Sequence, residues 1–207
     1  MFYMPFSLRA ASFLLNLILD WQGAAKNKFV FGRLFLSLRG FVKSCSFFGH
    51  RDTLQTEELK QKIRETVERL IVEEGVDTFL FGSRSSFDEL CHIVVTELKE
   101  KYPHIQRIAY LCKHETACLV GAGTSLRQKI KNLTGRDEYV GEYEEIKKSD
   151  RVNSAGRASY VERNQLMIDA SDIVFVHLDK GKRGGKPSGT ILAYDYAVNK
   201  DRKTIII

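Results

Sequence analysis

The stretch Ile173-Val-Phe-Val-His-Leu178 is followed by a glycine-rich segment, residues 181–189, and then by a predicted helix from residue 190 to about residue 198. The first stretch is apolar with hardly any alternation, which is typical of a parallel strand covered on both faces. A glycine-rich turn that enters a helix leaves several backbone N–H groups pointing in one direction. This part of the sequence therefore predicts a buried strand, an anion-binding turn and a helix.

The same order of strand, turn and helix recurs towards the amino terminus. Further strands are predicted at residues 45–48, 78–81, 105–112 and 203–207. Thr56 is predicted to cap a helix that ends at Gly75, Ser86 to cap a helix that runs to about residue 102, and a third helix covers residues 156–170. Residues 113–155 are the least regular part, with a short helix predicted at 125–133. This alternation predicts a Rossmann-like three-layer α/β sandwich with a mainly parallel sheet.

The composition is that of a globular domain with an appendage. The chain has 207 residues, of which 43% are apolar and 28% charged, which excludes disorder throughout. Its longest apolar run, residues 10–19, is ten residues long and contains Asn16, too short to span a membrane. Four cysteines are too few for a disulfide-stapled fold of this length. We therefore expect free thiols and a cytoplasmic location.

The net positive charge of the chain comes almost entirely from residues 1–44. The net charge of the chain is +6, but residues 1–44 hold six basic residues against Asp20 alone, and the remaining 163 residues carry 26 basic and 25 acidic residues. These remaining residues, 45–207, are called the body of the protein. Because the body is nearly neutral, it lacks the basic groove that nucleic-acid binding requires. We therefore expect no strong nucleic-acid binding by the body.

Residues 1–44 differ in kind from residues 45–207, which form the predicted domain. The segment holds seven of the thirteen phenylalanines and the only tryptophan, Trp21. It is interpreted as a secretory signal, as an amphipathic helix on a membrane surface, or as the product of a start site assigned too far upstream. The third interpretation is favoured, because no methionine occurs between Met4 and Met167 and a start at Val42 would open on the first strand.

Ligands of open parallel sheets bind at the carboxyl ends of the strands, so the loops that follow strands are the candidate site. Glycines let a ligand approach the backbone, and Gly189 in particular is expected to allow close approach or a positive φ. Asp88 either stabilises a helix N-terminus or accepts a hydrogen bond from a ribose hydroxyl. Arg163 is either a solvated helix residue or reaches the same pocket. The predicted ligand-binding residues are Gly49, His50, Arg51, Gly82, Ser83, Asp88, Arg163, Asn164, Gly184, Gly185, Ser188, Gly189 and Thr190.

Three other kinds of site find little support. Cys112, His114 and Cys118 lack a second Cys/His pair at a zinc-like spacing, so no metal is expected. The pair Gly121 and Gly123 lacks the third glycine of a dinucleotide fingerprint. No serine lies in a nucleophile-elbow sequence. The expected small molecule is a nucleotide-like ligand, with no cofactor required.

Four motifs resemble the SLOG superfamily, which joins the DprA/Smf DNA-processing proteins and the LOG phosphoribohydrolases, and in particular its YpsA-like branch; the resemblance runs from about Cys45 to Ile207. The motifs are Ser44-Cys-Ser-Phe-Phe-Gly-His-Arg51, Phe81-Gly-Ser-Arg-Ser-Ser-Phe-Asp88, Glu162-Arg-Asn-Gln-Leu-Met-Ile-Asp-Ala-Ser-Asp172 and Gly184-Gly-Lys-Pro-Ser-Gly-Thr190. The resemblance implies a Rossmann-like domain that binds a nucleotide or a nucleotide-derived ligand.

The resemblance also shows where this chain departs from the LOG enzymes. Arg163 falls at their motif arginine, with Asn164 in place of the usual lysine. In those enzymes a glutamate follows the glycine-threonine motif and is implicated in cleaving the N-glycosidic bond. Here Thr190 is followed by Ile191, Leu192 and Ala193, and an oxocarbenium-like transition state needs a nearby carboxylate.

Three functions compete on these grounds. The favoured one is a sensor or carrier that binds a nucleotide or a nucleotide-derived small molecule without robust catalysis. The first alternative is a nucleotide N-glycosidase or phosphoribohydrolase of the LOG type, with Asp88 as a displaced catalytic carboxylate. The second alternative, a DprA-like DNA-processing protein, is disfavoured by the neutral body. A homo-oligomer is left open.

Overall fold

The computed structural model describes residues 42–82, 85–112, 115, 117–121, 141–148, 157–178 and 188–207. The strands are β1 (Lys43–Phe48), β2 (Val76–Phe81), β3 (Gln106–Leu111), β4 (Cys118–Leu119), β5 (Glu142–Tyr143), β6 (Glu145–Lys148), β7 (Ile173–Val176) and β8 (Lys203–Ile206). The helices are α1 (Glu57–Glu74), α2 (Ser86–Lys101), α3 (Arg157–Asp169) and α4 (Gly189–Asn199).

Six parallel strands form the main sheet, in the order β6-β3-β2-β1-β7-β8. From β1 the chain adds strands in one direction to β6 and then returns to add β7 and β8 on the other side. The end of β1 pairs with the end of β7, Phe48 opposite Val176. This reversal makes the carboxyl ends of β1 and β7 the topological switch point, where open α/β sheets bind ligands. The short strands β4 and β5 form a separate parallel pair.

The two faces of the sheet carry separate apolar cores. Phe47 belongs to the core beneath α1 and α2, whereas its neighbour Phe48 belongs to the core beneath α3 and α4, because successive side chains of a strand point to opposite faces. The first core contains Phe47, Phe79, Phe81, Phe87, Phe175, Ile63, Val67 and Leu70. The second contains Phe48, Leu80, Ile108, Val174, Val176, Met167, Ile168 and Ala193. Helices on both faces of a parallel sheet confirm the predicted sandwich.

Helix capping is predicted correctly for α1 and one residue off for α2. The Thr56 hydroxyl accepts a hydrogen bond from the N–H of Leu59 at 3.2 Å, and Gly75 ends α1 with a φ of 70°. For α2 the cap is Ser85, whose hydroxyl accepts from the N–H of Asp88 at 3.1 Å. Ser86 is instead the first residue of α2, and its hydroxyl donates to the main-chain oxygen of Arg51 at 2.8 Å.

The edge strand β6 lies in the stretch that sequence analysis left without strands. Its sequence, Glu-Ile-Lys-Lys, lacks the apolar run used to predict strands. Tertiary contacts stabilise β6 as a strand. It pairs with β3, and the preceding Glu144 binds the buried guanidinium of Arg107. The helix predicted at residues 125–133 lies outside the described residues.

Residues Val42–Ile207 form one compact unit. Because residues 1–41 lie outside the described part, the interpretations of the amino-terminal segment, and its boundary at residue 44, stay predictions. None of the described helices is long and apolar enough to cross a membrane.

Candidate ligand-binding site

Arg163 lies on α3 with its side chain buried at the carboxyl edge of the sheet. The residue is 2% exposed. Its Nη1 donates to both carboxylate oxygens of Glu115, at 3.1 and 3.0 Å, and its Nη2 donates to Asn164 Oδ1 at 3.3 Å. The guanidinium carbon lies 5.2 Å from the ring centroid of Tyr160. Of the two roles considered for Arg163, the structure excludes that of a solvated helix residue.

Glu115 fixes this arginine to the end of β3. The Oε2 atom of Glu115 accepts a hydrogen bond from the N–H of Cys112 at 2.8 Å, and the N–H of Glu115 donates to the Cys112 carbonyl at 3.0 Å. Cys112 directly follows β3, so the ion pair sits where a ligand is expected to bind. Sequence analysis missed Glu115, because it lies in the irregular segment and no periodic pattern marks it as buried.

One edge of the Arg163 guanidinium is incompletely bonded. Nε is buried and has no hydrogen-bond partner among the described residues. A Cβ added at Gly82 would lie 3.0 Å from this Nε and 2.2 Å from Met167 Sδ, so the glycine lets α3 close over the end of β2. Glu115 uses Nη1, and the contact with Asn164 uses one of the two N–H groups of Nη2. Nε and Nη2 therefore each keep one N–H, and together these form the planar fork with which arginine binds two oxygens of one anion.

Ser171 and Asp172, at the end of the motif that contains Arg163, stabilise the structure at the opposite edge of the sheet. The Ser171 hydroxyl donates to the Met167 carbonyl at 2.6 Å. Asp172 Oδ2 accepts from the N–H of Ser44 at 2.8 Å and from its hydroxyl at 3.1 Å. These bonds tie the beginning of β1 to the turn between α3 and β7, and thereby set the position of α3 along the sheet.

Asp88 is buried in the first turn of α2, with 3% of its surface exposed. Its negative charge is favourable beside the helix N-terminus. Burial raises the pKa of the nearby Cys91 thiol, and the Asp88 carboxylate raises that pKa further. Its predicted contacts with a ribose hydroxyl, and its catalytic role, stay predictions.

The loop after β1 borders a cleft at the switch point. A Cβ added at Gly49 would lie 2.3 Å from the Phe87 ring, so this glycine admits close packing of α2. His50 is buried and Arg51 is exposed. The cleft has a volume of about 320 Å³ and is lined by His50, Asp52, Thr53, Leu54, Thr56, Leu59 and His177.

The N-terminus of α4 presents main-chain N–H groups at the same edge. The Ser188 hydroxyl caps the helix by accepting from the N–H of Ile191 at 3.3 Å, and Thr190 is buried. A Cβ at Gly189 would meet nothing within 4 Å. The expectation of a positive φ at Gly189 is wrong, since among the described glycines such angles occur at Gly75 and Gly121; Gly189 is instead the first residue of α4. Close approach of a ligand remains its predicted use.

A model of the YspA SLOG family (YpsA) matches residues 43–207. The chain belongs to this family. A search among curated proteins finds none that matches. The SLOG membership confirms the resemblance based on the glycine-histidine-arginine, arginine-asparagine and glycine-rich motifs.

In this SLOG domain two groups of predicted residues lie along one edge of the sheet. Gly82, Arg163 and Asn164 lie at the ends of β2 and β3, whereas Gly49 and His50 lie at the end of β1, beside β7. Ser83, Gly184 and Gly185 lie outside the described residues. Within the described part, no group of three His, Cys, Asp or Glu side chains could hold a metal ion.

Proposed function

We propose that this SLOG domain binds a nucleotide or a nucleotide-derived ligand, as a sensor or carrier, at the carboxyl edge of its sheet. The phosphate lies between the Nε–Nη2 edge of Arg163 and the N-terminus of α4 at Ser188, Gly189 and Thr190. The supporting observation is Arg163 itself, whose buried Nε has no hydrogen-bond partner among the described residues. A buried donor without a partner is unfavourable by about 1–3 kcal/mol, and an anion there removes that penalty.

The electrostatic setting also favours an anion. Glu115 balances the charge of Arg163, so the pair by itself is neutral. Two further positive contributions come from the chain after β7. One is the N-terminus of α4, with the dipole of that helix, and the other is the basic residues Lys182, Arg183 and Lys186, which precede it in the sequence. Asp88 is proposed to accept from the sugar hydroxyls.

The test must spare the Glu115 carboxylate. Arg163→Ala would leave that carboxylate buried without its partner, which is destabilising by about 3–5 kcal/mol. Arg163→Lys keeps a cation for Glu115 and removes the planar fork. The matched control is Arg107→Lys, which alters the other buried arginine–glutamate pair, at the opposite end of β3.

Calorimetric titration with nucleoside monophosphates should show binding by the wild type. Arg163→Lys should weaken that affinity about 10- to 150-fold, since one charge-assisted bond contributes about 1.5–3 kcal/mol. Arg107→Lys should bind like the wild type. Equal affinity of the Arg163→Lys variant and the wild type would overturn the phosphate assignment.

Hydrolysis of a nucleotide N-glycosidic bond is the second candidate, and one observation favours it. The Glu115 carboxylate, 6% exposed, lies beside Arg163 and supplies an anion near the site that the sequence after Thr190 lacks. Held by Arg163 and by the Cys112 N–H, it is suited to stabilise positive charge on the sugar. Release of free base, followed by chromatography, tests this activity. Asp88→Asn and Glu115→Gln should each abolish the release, and a wild type that releases no base contradicts it.

A further inference from the structure

We propose that the cleft between the ends of β1 and β7 binds the base of the nucleotide, and that it prefers a base with an exocyclic amine. This inference rests on the proposed function, which supplies the phosphate end of the ligand. The position of the base is inferred from the shape and the hydrogen-bonding character of the cleft.

The floor of the cleft is a stack that begins at Gly49. Because Gly49 has no side chain, the Phe87 ring packs directly against the end of β1. The His177 ring lies on Phe87, with centroids 5.2 Å apart and planes inclined by 14°. The imidazole is thus a flat platform fixed from behind, beside Leu54 and Leu59 of the same cleft. A planar heterocycle stacks on such a platform.

The polar groups around this platform accept hydrogen bonds. His177 Nδ1 lies 3.3 Å from the main-chain oxygen of Ile207. The Ile207 oxygen can only accept, so this contact assigns the proton to Nδ1, and in that tautomer Nε2 is an acceptor. The Thr53 hydroxyl donates to the His50 carbonyl at 2.9 Å, which leaves its lone pairs to the cleft. The Asp52 carboxylate is a further acceptor.

The charge around the cleft disfavours a phosphate there. Asp52 lines it, and Glu57 and Glu58 occupy the first turn of α1, where they already interact with the helix N-terminus. Among the described residues that line the cleft there is no Lys or Arg. The acceptors therefore match an amine, and the phosphate is directed to Arg163.

The two ends are suitably spaced for one ligand. Neighbouring strands lie about 4.8 Å apart, so the centre of the β7–β1 pair is about 10 Å from the centre of the β2–β3 pair. A ribose separates a base from its phosphate by a comparable length. Asp88, in the first turn of α2, is the proposed acceptor for the sugar that joins the two ends.

The test compares AMP with IMP and CMP with UMP, because in each pair an exocyclic amine is replaced by a carbonyl oxygen. Titration of the full chain should show the amine-bearing member binding roughly 3- to 10-fold more tightly. His177→Phe keeps a ring on Phe87 but removes the acceptor, and Asp52→Asn alters an exposed acceptor without affecting the core. Both variants should reduce the preference. The control is His104→Phe, at an exposed turn before β3, which should keep it.

The outcomes separate this inference from the proposed function. Equal affinity for AMP and IMP, with Arg163→Lys still weakening both, would overturn the cleft assignment alone. A preference that survives both cleft variants would also overturn it. If adenosine is preferred over inosine and the phosphate adds no affinity, the cleft assignment is supported and the phosphate site is overturned. A wild type that binds none of these compounds contradicts both.

Discussion

Arg107 and Arg163 are both buried and both paired with a glutamate, but they differ in how completely they are bonded. Arg107 Nε and Nη2 donate to Glu144 at 3.1 and 2.6 Å, and its Nη1 donates to Thr96 Oγ1 at 2.8 Å. Arg163 uses Nη1 for Glu115 and has only a 3.3 Å contact from Nη2, to Asn164. The first arginine is near the amino end of β3, and the second lies at its carboxyl end.

This difference separates a structural ion pair, Arg107–Glu144, from the proposed binding group, Arg163. A fully bonded buried arginine joins elements, here β3 and the segment before β6. Burial acts to raise the pKa of Glu144, but hydrogen bonds from Arg107 hold that pKa below its ordinary value. A buried arginine with an unfilled fork retains bonding capacity, and Arg163 lies at the carboxyl edge of the sheet, where we propose that the ligand binds.

The largest expected effect is on the stability of the free protein. Arg107→Ala should lower the free energy of unfolding by about 3–5 kcal/mol, because it leaves Glu144 without its partner and removes a bond to Thr96. Arg163→Ala should lower the free energy of unfolding by the same amount or slightly less, since fewer hydrogen bonds are lost. Urea unfolding of both variants measures this. A much larger loss from Arg163→Ala would mean that Arg163 is the main structural pair.

Ligand-induced stabilisation should reverse that order. A nucleotide at 100 times its Kd raises the stability of the wild type by about 2.7 kcal/mol. Thermal unfolding with and without AMP should show the full increase for Arg107→Lys, but only about 0.3–1.4 kcal/mol for Arg163→Lys, whose affinity is expected to be 10- to 150-fold lower. An increase of the same size in both variants would remove the functional distinction between the two arginines.

Two glycines at the same edge sharpen the comparison. Gly82→Ala brings a Cβ against Met167 and the Arg163 Nε, so it should destabilise the domain by about 1–3 kcal/mol and weaken nucleotide binding. Gly189→Ala faces open space and has a helical position, so it should raise stability by about 0.5–1 kcal/mol. Because we propose that Gly189 lies against the phosphate, the same change should weaken nucleotide binding. Unfolding of both variants measures the change in stability, and titration with AMP measures the change in affinity.

The smallest effect concerns His92, on the Arg107 side of the molecule. Burial and, to a smaller extent, the charge of Arg107 together lower its pKa to about 3, against an opposing effect of Glu144. The unfolded chain binds this proton near pH 6.5, so stability is lost as the pH falls from about 6.5 towards 3, by roughly 1 kcal/mol per pH unit.

The matched variant for this effect is His92→Gln, whose amide can still donate to the Glu142 carbonyl that His92 Nε2 contacts at 3.1 Å. Between pH 7.5 and 5.0 the wild type should lose roughly 1–2 kcal/mol more than the variant. Parallel pH profiles of the two proteins would show that His92 is already protonated or exposed.

Local patterns in the sequence predict most of the fold but only part of the candidate site. Apolar strands, Thr56 and Gly75 are local signals, and they predict β1, α1 and β2 well. Strand β6 could not be predicted, because its charged sequence is held by pairing with β3 and by the Arg107–Glu144 bonds. Arg163 was recognisable from its motif, whereas its partner Glu115 was not, since nothing local distinguishes a buried glutamate from a solvated one. The role of Gly82 likewise depends on where α3 packs.

The central claim concerns one N–H group, and NMR of the arginine Nε–H signals tests it directly. Signals are assigned with Arg163→Lys and Arg107→Lys, and AMP is then added to the ¹⁵N-labelled wild type. The account predicts that the Arg163 Nε–H signal shifts as it gains an anionic acceptor, while the Arg107 Nε–H signal, already bonded to Glu144, stays in place. Saturating AMP that leaves the Arg163 signal unmoved, or that moves both signals alike, would contradict it.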